Sequence, residues 1–334
     1  MAFEDVQVVI DVNKPGSLTG LGTPLILVSH TEAGTYTEFT DAASVKLAYG
    51  DNHSAYKIAL VLENQGQYRP SKIAVATYSV EKTSDVVLRD VFDNDWYFVI
   101  LDAGEIAEKK KISEIVEGKD FKMAAHLVTS TVEAEALKEL AYERTILFGI
   151  TPELSEEYAN AALIGACGSR TVGEITWKFK SLVGVTPMNN TTQALAYTNA
   201  NANIYINTSG KPKTREGVVA SGEFIDVIHG IDFIKVNAKN AIDAVLNNSA
   251  KIAFEDSDIA LLTTALTDTL ELAGRQGIIA RSDNGQFLYT VNALSRSEVT
   301  AAERASRVYR GLSFDFELAG AIHKVAPIKG VVNY

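Results

Sequence analysis

The sequence predicts a mixed α/β protein: an α+β body carrying an α/β insertion, with extended β-strand arms at its N- and C-terminal ends. Three observations lead there. Short apolar runs alternate with helical patterns from residue 23 to residue 168, as expected of strands joined by crossover helices. Beyond residue 168 the pattern shifts to long amphipathic helices and a hairpin signal. Both ends carry period-two strand patterns set apart from, or running beyond, the body.

Taken in order, Val6, Val8, Ile10 and Val12 alternate with Gln7, Val9 and Asp11, which reads as a strand. The stretch Asn13 to Gly22 is rich in Pro, Gly, Ser and Thr and reads as a linker. Pro24 to Val28 reads as a strand and Tyr36 to Thr40 as a second. Asp41 should cap a helix that ends at Gly50, and Ser54 to Gln65 forms another that ends at Gly66. Lys72 to Tyr78 is a buried strand. From residue 95 strands are expected at 96–101, 122–128 and 145–150, with helices at 106–116, 133–142 and 155–166. Thr176 to Lys180 alternates in polarity, Thr191 to Thr198 is helix-like and Ala202 to Asn207 is a strand. Ser209 to Gly217 reads as a polar, basic loop. Phe224 to Leu246 and Asp258 to Leu272 are amphipathic helices. Ser282-Asp-Asn-Gly285 lies between two apolar runs and signals a hairpin.

The C-terminal stretch organises the rest. Ser295 and Glu298 have the spacing of a helix-starting capping box. A short cationic helix with Arg304, Arg307 and Arg310 follows, and Gly311 stands where a C-cap glycine belongs. Leu312, Phe314, Phe316 and Leu318 then alternate with Ser313, Asp315 and Glu317, and the chain continues through Ile322, Val325, Ile328 and Val331. Such a tail needs a sheet edge to join. Two candidates stay open: the chain's own N-terminal strand, or another molecule.

Composition narrows the function. The 334 residues suffice for about two domains. A net charge of −11 argues against non-specific nucleic-acid binding. No apolar run is long enough to span a bilayer, so no direct membrane insertion is expected, and the acidic N-terminus lacks the pattern of a signal peptide; synthesis in a cytoplasm follows as the expectation. Cys167, the only cysteine, reads as a buried small residue. The five histidines, His30, His53, His126, His229 and His323, show no zinc-ligand spacing, so no metal is expected. The turn Asp102-Ala-Gly-Glu105 puts acid where a phosphate would sit, and neither a Gly-x-Gly-x-x-Gly nor a P-loop occurs, so no nucleotide cofactor is expected. No Gly-x-Ser-x-Gly elbow is present, and no catalytic residues emerge. Lys211, Lys213 and Arg215 could contact a phosphate, or simply be solvated in a loop.

A string of features in order resembles the contractile tail sheath proteins of bacteriophages and of phage-tail-like (R-type) bacteriocins. Gly22-Thr-Pro-Leu-Ile-Leu27 is similar to the first body strand of that family. Tyr36 to Asp41, through Ala48-Tyr-Gly50, is similar to its next strand and helix, and Leu60 to Gln65 ahead of Ile73-Ala-Val75 to the following pair. Ala159 to Arg170 before Glu174-Ile-Thr-Trp177, Arg275-Gln-Gly277, and Gly320-Ala-Ile-His-Lys324 also fit.

The resemblance implies a structural subunit rather than an enzyme. Its copies would polymerise helically around a tail tube by exchanging β-strands, and contract to drive the tube through a target cell envelope. Partners would be other copies of itself, the tail tube protein, and baseplate and tail terminator proteins; the location would be a virion or tail-like particle. It implies arms at 1–20 and 312–334, an inner core at 21–94 and 171–311, and an outer α/β insertion at 95–170. Val6, Val8, Ile10, Val12, Phe314, Phe316, Leu318 and Ile322 would pair between subunits. Glu303, Arg304, Arg307 and Arg310 would contact the tube; ordinary solvated or intramolecular pairing is the other reading of these four. A soluble two-lobed small-molecule-binding protein is the alternative function.

Overall fold

The computed structural model describes residues 21–102 and 104–326. Its centre is a six-stranded sheet of order β2-β3-β1-β4-β5-β6. The strands are β1 (Pro24–Ser29), β2 (Tyr36–Phe39), β3 (Ile73–Tyr78), β4 (Phe98–Leu101), β5 (Met123–Val128) and β6 (Thr145–Gly149). All neighbours are parallel except β2, which runs antiparallel to β3 at the edge. The five parallel strands are almost continuously apolar because helices cover both faces. One face packs against α1 (Ala42–Tyr49), α2 (Ser54–Glu63) and α6 (Ala159–Cys167), and the other against α3 (Ser84–Asp90), α4 (Ile106–Lys119) and α5 (Thr131–Lys138).

Local chemistry sets the boundaries. Asp41 accepts the Ser44 N–H at 2.7 Å and starts α1, and Gly50, at φ 88°, stops it. In α6 every side chain is buried, and Gly165 lies so close to α2 that a Cβ would stand 2.7 Å from the Leu62 carbonyl oxygen. Cys167 is buried there, and burial pushes its thiol up to about 12, so it is an inert packing residue.

Beyond the sheet come α7 (Thr191–Asn199), the antiparallel pair β7 (Ile204–Thr208) and β8 (Lys211–Arg215), and the long helices α8 (Ile225–Asn248) and α9 (Asp256–Arg275). Then follow β9 (Tyr289–Ala293), the short helix α10 (Ala301–Ser306) and β10 (Leu312–Phe316).

Residues 24–29 and 98–149 share one sheet, because β4 pairs with β1. The structure departs from expectation in three places. Helix α3 was not expected from the sequence. The basic loop at 209–217 is strand β8, folded onto β7 by Ser209 and Gly210, both at positive φ as a tight two-residue hairpin turn requires. Beside β8, Phe179 N–H donates to Thr214 O at 3.0 Å. The cationic helix covers only Ala301–Ser306: the working capping box is Thr300 with Glu303, and Arg307, at φ 57°, ends the helix in place of Gly311. Ser295 and Glu298 bond to each other in the preceding turn.

Candidate assembly surface

The strand residues marked in the sequence fall into two groups. Val6, Val8, Ile10 and Val12 lie outside the described residues. Phe314 and Phe316 lie on β10, which pairs antiparallel with β9 of the same chain, Phe314 opposite Val291 and Phe316 opposite Tyr289. Their rings stack at 6.2 Å. Leu318 bridges to Ile279, and Ile322 is 80% exposed. The strand therefore has an intramolecular partner, yet its apolar face is only half covered: Leu312 and Phe316 pack on the core while Phe314 is exposed.

The β9–β10 pair rests on α9. Tyr289 Oη donates to Glu271 Oε1 at 2.7 Å, and the Phe287 ring lies where a Cβ on Gly274 would come within 2.4 Å of it. Among the described residues this sheet has two strands, and neither of its outer edges is paired along its length. Beside it, α8, α9 and Tyr309 line an apolar groove of about 280 Å³ that includes Ile242, Leu246, Phe254 and Leu262.

The four residues expected at a tube contact are near one another in sequence but differ in role. The Glu303 carboxylate accepts the Thr300 N–H at 3.1 Å and its hydroxyl at 2.9 Å, which holds its pKa below the usual carboxylate range. Arg304 Nη1 donates to the carbonyls of Arg296 and Val299, so it ties down its own turn. Arg307 and Arg310 are exposed. Among the described residues none of the three arginines has a carboxylate within ion-pair distance.

The sequence did not reveal the clamp that sets α8 against the sheet. Asp232, fully buried on α8, accepts Arg144 Nη1 at 2.6 Å, Arg144 Nη2 at 3.1 Å and Tyr97 Oη at 2.6 Å. Arg144 also donates to Asp120 Oδ1 at 2.8 Å, and Lys235 donates to Asp120 Oδ2 at 2.6 Å. One turn earlier on α8, His229 stacks on Tyr97 and its Nε2 lies 2.7 Å from the carbonyl of Leu21. The clamp thus sits beside Leu21, the first described residue.

The order β3-β1-β4-β5-β6 is a doubly wound arrangement whose ligands seat outside the carboxyl ends of β1 and β4. At that position the chain places a carboxylate of its own. Asp102, at the end of β4, accepts Ser54 Oγ at 2.8 Å, Tyr78 Oη at 3.0 Å and the Ser29 N–H at 3.4 Å. A carboxylate at the end of β4 disfavours an anionic ligand there. Among the described residues no three His, Cys, Asp or Glu side chains stand close enough to share a metal ion. His126 and His229 are buried in the fold, and burial lowers their pKa values to about 3 and about 4. Among the described residues no helix is long and apolar enough to cross a membrane.

No protein-family model and no curated protein matches the sequence. Solved structures do. The chain is similar to one in the contracted sheath complex of the extracellular contractile injection system PVC, with a TM-score of 0.69, 11% identity, and 99% of this chain and 98% of that one covered. It is similar to a chain in the baseplate of the anti-feeding prophage, with a TM-score of 0.68, 12% identity, and 100% and 98% covered. It is also similar to the contracted helical sheath of the same particle, with a TM-score of 0.63, 12% identity, and 100% and 99% covered. At such identities the shared property is the fold.

Proposed function

We propose that this chain is a structural subunit of a contractile sheath, which assembles with copies of itself into a helical tube and compacts when triggered. The observation that carries this reading is the end-to-end fold likeness to two sheaths described in the contracted state. The exposed two-stranded β9–β10 sheet supports it: an isolated pair is marginal in water, and strands donated by neighbouring copies would complete it. On this reading Val6, Val8, Ile10 and Val12 of one copy, and the segment from Phe314 to Ile322, take part in pairing between copies. Residues 21–94 and 171–311 face the inside of the sheath and residues 95–170 its outside. Arg307 and Arg310 face the tail tube, with Glu303 and Arg304 shaping the turn that presents them. Baseplate and terminator proteins would cap the ends, and the particle would be a virion tail or a tail-like device. The Asp102 carboxylate, hydrogen-bonded to Ser54 and Tyr78 at the end of β4, favours this over the two-lobed small-molecule binder.

Electron microscopy of the purified chain beside a version lacking residues 1–20 tests the reading. Tubes or stacked rings from the full chain alone are expected. Monodisperse particles from both, with or without added tail tubes, would refute it.

A further inference from the structure

The C-terminal segment does not leave the body where β10 ends. Glu317 N–H donates to Leu288 O at 2.9 Å, its carbonyl accepts the Ala280 N–H at 2.8 Å, and Ala319 N–H donates to Ile278 O at 2.9 Å. The chain then crosses a groove between residues 173–176 and the start of α8. His323 ends the crossing. Its Nε2 lies 2.6 Å from Thr176 Oγ1, and its ring meets Phe224 edge-on at 4.6 Å and Phe179 at 6.4 Å. Ile322 and Val325 on either side of it are 80% and 70% exposed. The histidine is seated while its apolar neighbours stay outside, the reverse of what burial by hydrophobicity would give.

The seat favours a neutral ring because it takes His323 partly out of water, between two phenylalanine rings and near Lys178. Thr176 Oγ1 accepts the Lys178 N–H at 3.4 Å and shares a hydrogen bond with His323 Nε2 in which either atom can donate. The charged groups around the seat are Glu174 and Lys178 from the groove wall, Glu216 after β8 and Asp226 on α8. Burial, then Lys178, pushes the His323 pKa down, against the opposing pull of Glu216.

We propose that His323 is a latch that holds the C-terminal segment on its own subunit, so that unassembled chains do not engage one another through it. The inference rests on the assembly reading above and adds its regulation. The released segment takes up a proton near the ordinary histidine value of about 6.5, whereas the seated ring resists it. Seating is therefore firmest above that pH and weakens as pH falls through and below it.

The test uses the full-length chain, with His323→Ala and Thr176→Val as independent variants, and two readouts. Hydrogen exchange at the Glu317 and Ala319 amides of the monomer reads the latch. Loss of one net hydrogen bond should speed it about five- to tenfold in either variant. In the wild type, exchange corrected for intrinsic rate should be faster at pH 5.5 than at pH 7.5, and His323→Ala should abolish that difference. Light scattering with electron microscopy reads assembly, which should start at lower protein concentration in both variants. Unchanged exchange in both variants overturns the latch, whatever assembly does. Faster exchange with unchanged assembly overturns its regulatory role. If neither wild type nor variants assemble while exchange responds as expected, the sheath reading fails, and the regulatory role with it, while the seat stands.

Discussion

Replacing Asp232 by Ala tests the clamp between α8 and the sheet. Wild-type Asp232 is fully buried and accepts three hydrogen bonds, two from Arg144 and one from Tyr97. The variant leaves Arg144, 5% exposed, with Asp120 as its remaining carboxylate, and that side chain is largely solvated. Removing one partner of a buried pair costs about 3–5 kcal/mol, because the other charge stays in place. The Tyr97 hydroxyl, also buried, loses its acceptor, which adds about 1–3 kcal/mol if nothing replaces it. Asp120 offsets part of this, so about 4 kcal/mol is expected, a large share of the roughly 5–15 kcal/mol that holds a domain together. Urea unfolding followed by tryptophan fluorescence measures it, since Trp96 and Trp177 are both buried. The midpoint should fall with the slope unchanged. The triple variant Tyr97→Phe, Arg144→Met, Asp232→Leu should recover to within about 1 kcal/mol of the wild type, as apolar replacements of buried ion pairs tend to. If Asp232→Ala lies within about 1 kcal/mol of wild type, or the triple variant is as unstable as the single one, the clamp reasoning is wrong.

Gly165→Ala should destabilise the chain by about 1–3 kcal/mol in thermal melts, since the added Cβ meets the Leu62 backbone and outweighs the helix preference of about 1 kcal/mol for Ala over Gly. Asn203→Ala should cost about 3 kcal/mol in urea unfolding, because the amide joins Leu147 O, Val218 O and the N–H groups of Gly217 and Val218, all of them buried. Arg307→Glu with Arg310→Glu should leave the melting temperature unchanged and weaken co-assembly on tail tubes; undiminished co-assembly counts against the tube contact. Lys122, whose ammonium lies 3.9 Å over Trp96 and donates to the carbonyls of Phe92 and Asn94, has its pKa pushed down to about 7 by burial. Between there and the unfolded value of about 10.4 the unfolded chain holds more protons, so stability should rise with pH across that window. Comparing wild type with Lys122→Met should isolate the rise, and a pH-independent difference would refute it.

The sheet was legible in the sequence because each parallel strand is a continuous apolar run, and Asp41, Gly50 and Gly66 punctuate the helices between them. Helix α3 was not, since Ser84 to Asp90 offers only Val86, Val87 and Leu88 as apolar residues. Strand β8 reads Lys-Pro-Lys-Thr-Arg, with no large apolar side chain other than proline. Its conformation is imposed by β7 and by Thr214, whose hydroxyl donates to Trp177 O while its backbone pairs with Phe179 and Lys180. The alternating charges after Ser209-Gly210 were the available signal. Ahead of Arg304 two capping boxes stand in series, Ser295 with Glu298 and Thr300 with Glu303, and periodicity alone does not choose between them. Asp232 looks like an ordinary polar position of an amphipathic helix. Its partner Arg144 is 88 residues away, so only the fold reveals the pair.

The placement of these features divides the work within the chain. Burial on α8 runs from Ile225 to Ile234, and its second half projects with few buried side chains. The clamp at Asp232 thus fixes the first half of α8 against the sheet. The β9–β10 pair is held by a tyrosine–carboxylate hydrogen bond, a phenylalanine against a glycine, the packing of Leu312 and Phe316 on the core, and a ladder of five residue pairs, but it has no third strand among the described residues. Strand pairing gains most where a sheet is short of partners, so a strand donated by another copy would stabilise this rim far more than it would the six-stranded body, whose parallel strands are covered on both faces. Asp315 and Glu317, charges between the apolar positions of β10, discourage indiscriminate edge pairing in the meantime. A rigid body with an incomplete rim is the division of labour a subunit needs if it must move as a unit while staying joined to its neighbours.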